Sequence, residues 1–110
     1  MSNTMSKTIR IQSALAAMLL LSGAAGFAQT GEAVYKAKCA MCHGALGTPN
    51  PGIAKNMGVR PASDPAVKAE SVAQMIAITT NGKAKMPAFK GKLSDAEIKA
   101  SVDYFRTLAK

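Results

Sequence analysis

The stretch Cys39-Ala40-Met41-Cys42-His43 places two thiols and an imidazole within five consecutive residues. The chain has 110 residues, and these are its two cysteines and its one histidine. On a helix, residues three apart are neighbours on the same side, so both thiols and the following imidazole can reach one ligand. A disulfide between Cys39 and Cys42 would close a very small loop and would add little tertiary constraint. We therefore take this stretch as the candidate functional site.

The C-x-x-C-H spacing is the attachment signal for a covalent haem c. The thiols of Cys39 and Cys42 can add to the two vinyl groups of a haem as thioethers, and His43 can then ligate the iron. A thioredoxin-like redox pair is a weaker interpretation, because it expects a strand and a βαβ context that this chain does not show. A zinc site is also weaker, because it needs four ligands and the chain has too few Cys and His residues.

A second axial iron ligand cannot be another histidine, and we expect Met86 in that position. Pro87 follows it and favours an extended backbone at Met86, from which a side chain can approach the iron. Three other methionines follow residue 28. Met41 lies inside the attachment motif, Met75 falls on the apolar face of a predicted helix, and Met57 lies in a segment predicted to be irregular and is the weaker rival.

Residues 1–28 have the pattern of a secretory signal peptide. Lys7 and Arg10 precede an apolar run over 11–21, and Gly26 and Ala28 form a small-x-small cleavage site. A membrane-spanning helix needs about 20 apolar residues, a length that this segment reaches only by counting glycines and serines. We expect cleavage to release a domain of residues 29–110 into the periplasm or another exported location, without further membrane association. The overall charge of +8 falls to about +6, since the segment carries two cations and no acid.

The predicted secondary structure is all-α. Helical spacing predicts a first helix over 31–42, an irregular segment with four prolines over 44–65, and a second helix over 71–81. Ser94 and Glu97 form a capping box for a last helix. Its predicted buried stripe contains Ile98, Ser101, Val102, Phe105 and Leu108, with Tyr104 at the edge. So small a domain, with four aromatic residues after residue 28, has a marginal core and is typical of a domain completed by a cofactor.

Residues 29–110 resemble a class I c-type cytochrome of the short bacterial monohaem kind. The resemblance is carried by the attachment motif, by Asn81-Gly82 ahead of Lys85-Met86-Pro87-Ala88-Phe89, and by Leu93-Ser94 at the start of the last helix. It implies three to four helices wrapped around one covalent haem c. It also implies that the first and last helices cross, with Gly31, Tyr35 and Tyr104 as contact residues.

The resemblance further implies two groups around the haem. A proline carbonyl should accept a hydrogen bond from the ligating histidine, and the sequence leaves Pro49 and Pro51 both open. Because residues 53–69 contain no Trp or Tyr to bond a haem propionate, Arg60, Lys55 or backbone groups are expected to replace it.

A six-coordinate iron has no open position for a substrate, which indicates electron transfer and not enzymatic catalysis. We expect a monomeric carrier whose lysines meet acidic redox-partner proteins. These are Lys83, Lys85, Lys90 and Lys92 around Met86, and Lys36 and Lys38 before the cysteines. Nucleic acid is not an expected partner, because aromatic residues for base stacking are absent. Two alternatives stay open: an electron-transfer subunit of a larger oxidoreductase, and a gas-binding or sensing haem protein with a weak sixth ligand.

Overall fold

The computed structural model describes residues 29–110. The predicted signal peptide, residues 1–28, lies outside the described residues. Within residues 29–110 no helix is long and apolar enough to cross a membrane.

The attachment motif lies on two short helices. Helix α1 covers Gly31–Lys38 and α2 covers Ala40–His43. The predicted single helix over 31–42 is wrong at Cys39, which lies between them with φ −115°. The Cys39 carbonyl accepts hydrogen bonds from the backbone N–H groups of both Cys42 (3.2 Å) and His43 (3.0 Å). A new, tighter turn therefore starts at the first cysteine.

The segment 44–65, predicted to be irregular, contains a helix. Helix α3 covers Pro51–Met57, and α4, which begins at the last residue of this segment, covers Pro65–Lys68. Each has proline at its first position, where the missing N–H has no intrahelical acceptor in any case. The Asn50 side chain caps α3, and the Asp64 side chain caps α4. The prolines here begin helices and do not exclude them.

The two predicted later helices are confirmed. Helix α5 covers Val72–Asn81 and α6 covers Asp95–Thr107. Ser71 and Ser94 both form capping boxes, with Gln74 and Glu97 respectively. On α6, Ile98, Ser101 and Val102 are buried, whereas Phe105 and Leu108 are only partly buried. The capping signals in the sequence therefore locate both helix starts.

Helices α1 and α6 cross at Gly31, as the resemblance implied. A Cβ atom on Gly31 would lie 2.1 Å from the carbonyl oxygen of Ala100, so only glycine permits this approach. The Tyr35 ring packs against Tyr104 beside the crossing, with ring centroids 5.3 Å apart.

The all-α fold is confirmed. Residues 29–110 form no strand and contain only two isolated bridges, Lys83 with Met86 and Lys90 with Leu93. The described part of the chain forms six helices where three to four were expected, because the short α2, α3 and α4 add to the longer α1, α5 and α6.

Candidate haem-binding site

A cavity of about 530 Å³ lies between the attachment motif and the segment around Met86. Cys39, between α1 and α2, lines it together with Cys42 and His43 of α2, and Met86 lines it from the segment that follows α5. Both cysteines are free thiols. The fold thus brings together the two cysteines and the two predicted axial ligands. His43 and Met86 are 43 residues apart in the sequence.

The cavity wall is mostly apolar. Met75, Ile78, Phe89, Val102 and Phe105 contribute to it. Two polar side chains in the wall, Thr79 and Ser101, donate their hydroxyl hydrogens to carbonyls of their own helices at 2.8 Å. Both hydroxyl donors are therefore satisfied within their own helices and do not point a free donor into the cavity. The wall suits a flat apolar ring.

His43 is held in the form that binds metal. Its ring packs edge-on against Phe105, with centroids 5.3 Å apart. Burial lowers the pKa of the imidazole, which favours the neutral form that ligates iron. The Nδ1 atom of His43 is buried and makes no hydrogen bond to any residue in the described part of the chain. Such an unpartnered buried atom is unusual in a folded protein, and a metal-ligating histidine ordinarily donates its other ring N–H to an acceptor.

Cys39 does not have the environment of a redox-active cysteine. Burial, with the neighbouring Cys42 thiol as a smaller cause, raises the pKa of Cys39 to about 11. Catalytic and redox cysteines have lowered pKa values instead. The absence of a strand in residues 29–110 also removes the βαβ context of a thioredoxin-like site.

The methionine candidates differ in their surroundings. Met57, Met75 and Met86 all line the cavity. The Met75 sulfur, however, lies 4.0 Å from Nη1 of Arg106, which also binds the Glu70 carbonyl. Met57 is the last residue of α3 and is 37% exposed. Met41 is 88% exposed and does not line the cavity.

Of the other predicted groups around the haem, the arginine lines the cavity, whereas the two prolines and the lysine do not. Arg60 lines the cavity, with an exposed side chain whose Nη1 lies 4.0 Å from the Asp64 carboxylate. Pro49 is buried and Pro51 is exposed at the start of α3, and neither lines the cavity. Nδ1 of His43 makes no hydrogen bond to either proline carbonyl in the described residues, so that bond stays a prediction for the haem-bound protein. Lys55 does not line the cavity either.

Several wall residues were not predicted as site residues. Tyr35, Glu70, Ile78 and Ser101 line the cavity, and Glu70 is its one acidic wall residue among those described. Tyr35 and Ser101 were predicted only as helix-contact and core positions. No sequence signal marks Glu70, because its position depends on how the segment between α4 and α5 folds back.

Comparison with known proteins decides the family. The family model described as "Cytochrome C oxidase, cbb3-type, subunit III" matches residues 26–105. The chain belongs to the class I c-type cytochromes. Members of this family are electron-carrying haem proteins, and the cofactor of this cytochrome is a covalently bound haem c. The free thiols and the mostly apolar cavity fit that group.

Relatives of this cytochrome include two named cytochrome c6. The protein from Leptolyngbya boryana is 39% identical over 70% of this chain and 87% of its own length. The protein from Synechocystis sp. is 36% identical over 67% of this chain, and the match spans 59% of its own length. Among solved structures, the KustC0563 c-type cytochrome has a TM-score of 0.68 and 31% identity, covering 74% of this chain and all of that chain.

Proposed function

We propose that this cytochrome is an exported one-electron carrier whose haem iron is held by His43 and Met86. The observation that carries the proposal is the single cavity lined by Cys39, Cys42, His43 and Met86. When bound, haem c supplies an iron that cycles between the ferrous and ferric states. The relatives named cytochrome c6 support a carrier of this kind.

The chain's own residues favour a comparatively high reduction potential. A thioether ligand such as that of Met86 stabilises ferrous iron more than a second imidazole does. The apolar wall, with Met75, Phe89 and Phe105, excludes water and favours the less charged reduced state. Arg60, whose guanidinium matches the geometry of a carboxylate, is the proposed partner of a haem propionate.

Replacement of single methionines tests the ligand assignment. We expect the ferric holoprotein to show the thioether-to-iron charge-transfer band, and expect Met86→Ala to remove it and to let the reduced protein bind carbon monoxide. Met57→Leu and Met75→Leu remove the other two methionine sulfurs of the cavity with little change in volume, and both should keep the band. Loss of the band in Met57→Leu but not in Met86→Ala would show that Met57, and not Met86, is the axial ligand. Carbon monoxide binding to the wild-type protein would favour a gas-binding function.

The basic residues at the cavity support an acidic redox partner. Lys38, Arg60, Lys83 and Lys85 line the cavity, whereas Glu70 is the one acid there in residues 29–110. Lys90 and Lys92 are also exposed nearby in sequence. Opposite charges speed encounter and are screened by salt. We expect electron exchange with an acidic partner to slow as ionic strength rises. A rate that does not change with salt would contradict the proposal that charge attraction speeds the encounter.

A second candidate function is electron transfer within a larger oxidoreductase. The matching family is described by the name of an oxidase subunit, which supports this alternative. Purification of the native cytochrome from its source would distinguish the two, because a carrier elutes alone at the size of its own chain. Elution with a larger enzyme, at constant stoichiometry, would establish the subunit role.

A further inference from the structure

A lysine next to Met86 connects two walls of the cavity. The Lys85 ammonium donates a hydrogen bond to the backbone carbonyl of Asn56, 29 residues away in the sequence. Asn56 precedes Met57, and Lys85 precedes Met86. Because Met57, Lys85 and Met86 all line the cavity, this hydrogen bond joins the end of α3 to the segment that presents Met86.

The end of α3 offers an acceptor that suits a cation. The last four carbonyls of a helix have no partner within the helix, and they carry the partial negative charge of the helix dipole. Asn56 is the penultimate residue of α3, and the Gly58 N–H that closes this helix binds the Ala54 carbonyl. The Asn56 carbonyl is therefore available to Lys85.

The backbone that carries Met86 forms a tight turn. Lys83 and Met86 exchange two backbone hydrogen bonds, of 3.1 and 2.9 Å, around Ala84 and Lys85. Ala84 has φ 51°, in the left-handed region that is unfavourable for a residue with a Cβ atom. Such a conformation persists where surrounding contacts hold it.

One side of this turn is already fixed. The Phe89 N–H binds the Thr79 carbonyl at 3.0 Å, and the Lys90 N–H binds the Thr80 carbonyl at 3.1 Å. These bonds dock the residues after Met86 on the end of α5. The hydrogen bond of Lys85 to Asn56 ties the other side of the turn to α3.

We propose that Lys85 is a positioning residue, which keeps Met86 on the haem iron by tethering its turn to the end of α3. The inference rests on the proposed function, in which Met86 is the axial ligand. Without the tether, the turn can relax from the Ala84 conformation. A competing ligand then displaces the Met86 thioether from the iron more readily. The side chain of Lys85 acts through Met86 and does not itself bind the haem.

Titration of the ferric holoprotein with imidazole tests the inference, because imidazole competes with a thioether for the sixth iron position. Lys85→Gln removes the charge-assisted donor at an exposed site, and circular dichroism would check that the variant is folded. We expect the apparent dissociation constant of imidazole to fall roughly two- to ten-fold, the range that corresponds to one net hydrogen bond. Lys85→Arg keeps a cationic donor and should stay near the wild-type value.

Lys83→Gln is the matched control. It removes the same charge from the same turn, and Lys83 makes no side-chain hydrogen bond within residues 29–110. An equal change in both glutamine variants, or none in Lys85→Gln, would overturn the tether. Failure of the proposed function would be visible earlier, as a wild-type ferric protein without the thioether-to-iron band before any imidazole is added.

Discussion

At the scale of single residues, Tyr35 connects the attachment motif to the core. Its ring is buried between Tyr104 and Phe105, with centroid distances of 5.3 and 6.1 Å. Its hydroxyl donates a 2.6 Å hydrogen bond to the carbonyl of Gly44, the residue after His43. The phenol therefore fixes the end of the helix that carries His43, the proposed iron ligand.

We expect Tyr35→Phe to lower the free energy of unfolding of the holoprotein by about 1 kcal/mol, because it leaves the Gly44 carbonyl without this donor. Urea denaturation followed by circular dichroism measures the change. Tyr104→Phe is the control, since the structure shows no hydrogen bond from the Tyr104 hydroxyl within residues 29–110. Equal losses in the two variants would show that the hydrogen bond to Gly44 has no particular role.

The same residue predicts a dependence on pH. Burial raises the pKa of Tyr35 from 10.0 to about 12. Below pH 10 the phenol is neutral in both states, so its contribution to stability is fully present there. Between pH 10 and 12 the unfolded phenol ionises first, and that contribution is lost. The stability difference between wild type and Tyr35→Phe should narrow over this interval, and a constant difference from pH 8 to 12 would contradict the assignment.

Some features of the site follow from local sequence, and others depend on contacts between distant segments. The spacing of Cys39, Cys42 and His43 was enough to predict the cofactor, because that chemistry is encoded locally. The presence of Glu70 in the wall and the tether from Lys85 to Asn56 depend on segments far apart in the chain. No local pattern in the sequence reports such contacts.

At the scale of elements, end signals decided which helices could be predicted. Ser71 and Ser94 each precede a clear apolar pattern, and both helices begin where these caps predict. Helix α3 was missed because Asn50 and Pro51 were interpreted as loop residues, although asparagine at the cap and proline at the first position are helix-start signals. The break at Cys39 has no such signal, because it results from a local change in hydrogen bonding.

The crossing of α1 and α6 depends on one glycine. We expect Gly31→Ala to destabilise the holoprotein by about 2–3 kcal/mol, because its new Cβ atom would meet the Ala100 carbonyl and force the two helices apart. Ala37→Ser, at an exposed position of the same helix, should change stability by less than about 0.5 kcal/mol. A Gly31→Ala protein with the wild-type urea midpoint would show that the helices are not in close contact.

At the scale of the whole molecule, the domain has a small core around a large cavity. The hydrophobic core within 29–110 consists of Val34, Tyr35, Ala62, Met75, Ile98 and Val102. A core of this size supports little stability on its own. The cavity extends into this core. Tyr35, Met75 and Val102 are core residues that also line the cavity, so a bound cofactor would complete the core.

We expect the protein without haem to be largely unfolded. The double variant Cys39→Ala/Cys42→Ala, which cannot form thioethers, should show little helical circular dichroism and no cooperative urea transition when produced without haem. The wild-type holoprotein serves as its reference. A cooperative transition in the haem-free variant would show that the helices support the fold unaided.

Intact-mass spectrometry of the mature protein, produced with haem-maturation machinery, tests covalent attachment most directly. The predicted mass is that of the polypeptide plus one haem, and peptide mapping should locate the added mass on the fragment with Cys39 and Cys42. A mass equal to the polypeptide alone, or a fragment in which the two sulfurs are joined to each other, would contradict the account.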